Sequence, residues 1–95
     1  MPPFGVAILP CTLDVAAAHT LKEMLGASIL AHRSVVLDGG NVERVTTPAV
    51  QVLLSAASTL ASQNERLALR RPSEALKSAF ADLGLGEILE RWGHS

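Results

Sequence analysis

Apolar and polar positions fall into blocks that predict strands alternating with helices. Phe4 to Leu9 is a short apolar stretch between prolines, with the length and β-branched content of a buried strand. Pro10 ends it. Asp14 is placed to cap a following helix, because its carboxylate can accept the free N–H groups of a first turn. In that helix Ala18, Leu21 and Leu25 share one face, and Lys22 and Glu23 lie on the other. Ser34 to Leu37 is a second strand, rich in valine, that runs into Asp38 and the Gly39-Gly40 pair, where the chain must turn.

The pattern then repeats. Pro48 at the first helical position opens a helix with Val50, Leu53, Leu54, Ala57, Leu60 and Ala61 as its apolar stripe. The opposite face carries Gln51, Ser55, Ser58 and Ser62, all uncharged. Residues 63 to 65 break the period, and Arg66 to Leu69 alternate as a strand. Pro72-Ser73 opens a third helix with Leu76, Ala79, Phe80 and Leu83 inward, which Gly84 stops, and Glu87 to Trp92 form a last turn or two. Strands alternating with helices at this spacing imply an α/β fold: a central, mostly parallel sheet, right-handed crossovers, and helices packed on it.

Composition narrows the function classes. Ninety-five residues, 48% hydrophobic and 18% charged, suit one compact domain over residues 1–95 with a core that needs no metal or disulfide. A net charge of -1 supplies no basic field for a phosphate backbone. The basic cluster Arg66, Arg70 and Arg71 is small and interleaved with leucine, so nucleic acid is not an expected partner. Cys11 is the single cysteine, which excludes an internal disulfide, fits a reducing cytosol and reads as a small buried hydrophobe. No apolar run reaches the ~18 to 20 residues that cross a bilayer. The opening MPPFGVAILP has no basic region and breaks at Pro10, so it does not read as a signal peptide. The expected location is the cytoplasm, without membrane insertion.

Catalytic and cofactor patterns are missing. His19, His32 and His94 are isolated from one another and from Cys11, with no HxxxH, HExxH or CxxC spacing. Gly39-Gly40 follows a strand, yet the next helix opens eight residues later, and the chain has neither GxGxxG nor GxxxxGK[ST]. Asp38 and Glu43 in such a loop are expected to be solvated or to cap local N–H groups. No metal, no cofactor and no catalytic group is expected, and the chain reads as a non-enzyme.

Thr46-Thr47-Pro48 is where chemistry can enter. One of the two hydroxyls is expected to accept a backbone N–H bond of the helix start, a cap worth ~1 kcal/mol. A helix N-terminus also favours phosphate, through its unpaired N–H groups and the positive end of its dipole. A phosphothreonine there would bring about -1.5 to -2 charges onto a surface of neutral side chains and repel a helix packed on it.

The order of elements and three segments resemble the STAS domain family (sulphate transporter and anti-sigma factor antagonist). LPCTLDVAAAHTL, positions 9 to 21, is similar to that family's strand and Leu-Asp helix start. VVLDGGNVERVTTPAVQVLLSAASTL is similar to its strand, loop and second helix, and RRPSEALKSAFADLGLGEIL, positions 70 to 89, to its closing Pro-Ser, helix and Gly-Leu segment. In the family an Asp followed by hydroxyl residues opens the second helix, and the hydroxyl is the target of a partner kinase in anti-sigma factor antagonists. Thr46 stands at the Asp position, Thr47 at the first hydroxyl position, and Pro48 and Ala49 replace the usual Ser/Gly steps. Many members also begin with a hairpin of two strands, of which this chain has room for the second.

The resemblance implies a noncatalytic STAS module that binds a protein partner through Asn41, Thr46, Thr47, Gln51, Ser55 and Ser58. Thr47 is the first candidate phosphoacceptor and Thr46 the second. The implied partner is an anti-sigma factor or serine-kinase-like protein, a chemotaxis or signalling protein, or the ATPase of an Mla-type ABC lipid transporter of which this chain would be the cytoplasmic accessory subunit. Small-ligand or nucleotide binding at the strand ends is a further alternative. A homodimer is compatible with the sequence, and Trp92 is expected either to cover the end of the core or to enter an interface.

Overall fold

Two parallel ladders form the frame. The computed structural model describes residues 6–93. Its elements in chain order are β1 (Val6–Ile8), β2 (Thr12–Leu13), α1 (Val15–Leu30), β3 (Val35–Asp38), β4 (Arg44–Val45), α2 (Thr47–Ser62), β5 (Leu67–Arg70), α3 (Glu74–Asp82) and α4 (Gly86–Gly93). The main sheet has the order β1-β3-β5 with every pair parallel, and β2 pairs with β4 in a second, two-residue parallel ladder. A parallel neighbour needs a crossover of helix length, and α1 and α2 supply one each. Phe4 and Gly5 of the expected first strand lie outside the described residues.

Register explains which residues are buried. Leu37 lies opposite Ala7 and Leu69, and Val35 opposite Leu67, so these side chains share one face of the sheet. They join one hydrophobic cluster with Leu21 and Leu25 of α1, Val50, Leu53 and Leu60 of α2, and Leu76 and Phe80 of α3. Leu53, Leu60, Leu76 and Phe80 are fully buried. Burying each such side chain stabilises the fold by roughly 1.5 to 3 kcal/mol. Trp92 sets its ring edge-on to Phe80, with centroids 5.6 Å apart and planes at 79°, so α4 closes the end of the core.

Helix periodicity was legible face by face, less so residue by residue. Ala18, Leu21 and Leu25 are buried as expected, with Lys22 and Glu23 outside. In α2 the stripe rotates toward Ala49 and Ala56, which are buried, and away from Ala61, which is exposed. Leu83 is 45% exposed rather than inward, because α3 ends at Asp82 and the chain turns out through Gly84 at φ +75. The Gly39-Gly40 turn serves close approach. A Cβ on Gly39 would meet the buried Leu76 Cδ1 at 2.5 Å, whereas one on Gly40 would meet only the end of the exposed Arg71 side chain, which can move aside.

Candidate functional site

The second ladder delivers the chain to the start of α2. Glu43 and Arg44 both donate backbone N–H bonds to the Cys11 carbonyl, and Thr46 N–H donates to the Leu13 carbonyl at 3.0 Å. The helix begins at Thr47, one residue earlier than expected, with Pro48 in its first turn and Thr46 as the extended residue before it.

The two threonines have separate surroundings. The Thr46 side chain makes no cap bond to the helix; its hydroxyl instead donates to the Leu13 carbonyl at 2.7 Å. The expected hydroxyl cap is therefore absent, since the side chain is turned toward β2 and its oxygen accepts no N–H of the first turn. Thr47 is exposed, and its hydroxyl has no hydrogen-bond partner among the described residues. The helix end is also a poorer anion cradle than a bare N-terminus. Pro48 has no N–H, and the Ala49 N–H bonds back to the Thr46 carbonyl at 3.1 Å.

The candidate side chains divide between two depressions on either side of that first turn. Gln51 and Ser55 line a groove of about 490 Å³ between α1 and α2, with Lys22, Leu25, Gly26 and Ile29 as its other wall. Gly26, with nothing within 4 Å of where its Cβ would stand, keeps that wall low. Thr46 and Thr47 line a smaller cleft of about 180 Å³ with Val50, Ala79, Asp82 and Leu83. Ser58 is exposed on α2 and Asn41 on the turn after β3, and neither lines these two depressions.

Asp82 is the residue that sequence reasoning missed. It stands thirty-five positions after Thr47, and only the packing of α3 on β4, the strand that leads into α2, brings it to the same cleft. Its single signal was its place in the last turn of a helix, where an acid opposes the dipole without local benefit. Beside the positive end of α2 the sign of that interaction reverses. Thr47 and Asp82 line one cleft, and its lining carries no basic side chain.

The other chemistry-bearing residues are held elsewhere. The Asp38 carboxylate accepts the Gly40 N–H at 2.9 Å and lies 3.5 Å from Arg71 Nη1, which makes it a turn-forming group. Cys11 is exposed rather than buried, and its thiol donates to Glu43 Oε2 at 3.0 Å. That hydrogen bond pushes the Cys11 thiol above the usual range, so the thiolate is disfavoured. No group of three or more His, Cys, Asp or Glu side chains suited to a metal occurs among the described residues.

Comparison with known proteins agrees with this architecture. A family model described as "Mlab, STAS domain" matches residues 9–90. The chain therefore belongs to the STAS domain family, with a central parallel sheet and helices packed on it. Among solved structures it is similar to the Bacillus cell fate determinant SpoIIAA in its phosphorylated form, at a TM-score of 0.73 and 19% identity, over 92% of this chain and 80% of that one. No curated protein sequence matches the chain. No helix among the described residues is long and apolar enough to cross a membrane.

Proposed function

We propose that this protein is a non-enzymatic regulatory STAS module that binds a protein partner through the opening of α2 and the groove between α1 and α2. One observation carries the reading. The first turn of α2 presents a free, exposed Thr47 beside an open groove lined by Gln51 and Ser55, while the Thr46 hydroxyl holds that turn in place from beneath. A concave groove lined by apolar and small neutral side chains, with Lys22 as its one charged member, suits a partner side chain or helix better than a small charged substrate. Phosphate on Thr47 would release the partner, since the new charge would be added beside Asp82 and would have to be desolvated on binding. SpoIIAA, known here in a phosphorylated form, supports this control by its fold.

A second reading has its own support in the family description, which names Mlab. In it the same surface holds the ATPase of an Mla-type ABC lipid transporter permanently, with no phosphate on Thr47.

A photo-crosslinking residue placed at Gln51 or Ser55 in the native cell tests both. Adducts at both positions, absent from a control at Glu90 and abolished by Thr47→Glu, are the expected result; equal labelling at all three positions would sink the surface. Identifying the captured protein and mapping phosphate by mass spectrometry separates the readings. An ATPase with unmodified Thr46 and Thr47 selects the transporter, and a kinase-like or chemotaxis partner with phosphate on Thr47 selects the switch.

A further inference from the structure

The two faces of the β1-β3-β5 sheet are filled unequally. Ala7, Leu37 and Leu69 point into the core, and the alternate residues point the other way. On that second face Val6, Val36 and Ala68 lie side by side, followed by Ile8, Asp38 and Arg70. Helix α4 covers the β5 side of it, where Trp92 and Gly93 form one wall of a cleft of about 250 Å³ lined by Val36 and Ala68, and Val36 of the central strand is itself buried, at 5% exposure. The β1 side is the more open one among the described residues: Val6 is 53% and Ile8 68% exposed. Parallel sheets bury both faces, and the element that covers them is a helix.

Charge says what kind of helix. Arg66 and Arg70 flank the cleft, both are exposed, and neither has a carboxylate within ion-pair distance among the described residues. The nearby acids are engaged otherwise. Glu65 Oε1 accepts the Ser34 hydroxyl at 2.8 Å, and Asp38 holds Gly40 and Arg71. The exposed part of the face is thus an apolar edge, Val6 and Ile8, with Asp38 tied into its own turn between it and two guanidinium groups that have no ion pair among the described residues, an arrangement complementary to leucine-like side chains bordered by carboxylates.

We propose that this open sheet face is a second docking surface, distinct from the α2 opening, and that its occupant is an acidic amphipathic helix of a partner protein. The apolar stripe of that helix lies on the exposed Val6 and Ile8, beside the buried Val36, and its Glu or Asp residues reach Arg66 and Arg70. The module would then hold two proteins at once, one on each side of its sheet.

The probe is a synthetic helical peptide with leucines at i, i+3, i+4 and i+7 flanked by glutamates, titrated into the full chain beside matched glutamine and lysine versions. Trp92, the single tryptophan, reports through its emission, and amide chemical shifts map the surface. The glutamate peptide should move the resonances of Val6, Ile8, Val36 and Ala68, and the glutamine version should bind about tenfold more weakly. Arg66→Glu with Arg70→Glu, and separately Ile8→Ser, should each reduce binding of the glutamate peptide while leaving the circular dichroism spectrum unchanged. Thr47→Glu should leave it unaltered, which keeps this surface distinguishable from the α2 opening. Equal binding of all three peptides, or shifts centred on Gln51 and Ser55, would overturn the proposal. So would self-association that saturates the face in sedimentation, or preference for anionic lipid vesicles over the peptide.

Discussion

Helices α1 and α2 each run for 16 residues, yet they begin in opposite ways. Asp14 caps α1 within its own first turn, accepting the Ala17 N–H at 2.9 Å, and Ser73 does the same for α3 through Leu76 at 3.2 Å. Thr46 directs its hydroxyl away from α2, to the Leu13 carbonyl. A cap contributes about 1 kcal/mol, whereas α2 buries Ala49, Val50, Leu53, Ala56 and Leu60 against the core, so α2 forms without one. The difference teaches that α1 and α3 start where local chemistry puts them, and α2 starts where tertiary contact holds it. That contact leaves the next hydroxyl, Thr47, outward and free.

Substitutions at these starts can break the contrast. The largest effect is expected from Thr46→Asp, which places the family's usual residue at this position. An ionised carboxylate cannot donate to Leu13 O and would set negative oxygen against it in a half-buried site, a loss of about 2 kcal/mol in urea unfolding. A gain in stability would mean that Asp caps α2 after all and that the start of α2 is an ordinary one.

Asp14→Ala and Ser73→Ala should each cost about 1 kcal/mol, by removal of a cap without disturbance of the core. If Thr46→Val costs no more than either, its tie to β2 is only a substitute cap. The smallest change belongs to Thr47→Ala, within about 0.5 kcal/mol of the parent by the same measurement, as for an exposed residue without partners. Its consequence should appear in partner binding instead. A stability loss comparable to Asp14→Ala would assign Thr47 to the fold rather than to the surface.

Much of this was legible in the order of residues. Leu25 and Lys22 had to take opposite faces of α1, and Asp14 and Ser73 had to cap, because spacing along a helix and reach within one turn are local properties. The outward positions of Gln51, Ser55 and Ser58 on α2 followed from the same period. Only the assembled molecule decided that Cys11 would be exposed against Glu43, that Leu83 would lie outside, and that Asp82 would stand beside the α2 start. It also decided that the Thr46 hydroxyl would face Leu13 and that Arg66 and Arg70 would border an open sheet face. Each of these depends on which strand lies next to which and how helices turn against them. Long-range packing sets that, through the burial of Leu37, Leu53 and Phe80 together, and no window of neighbouring residues contains it.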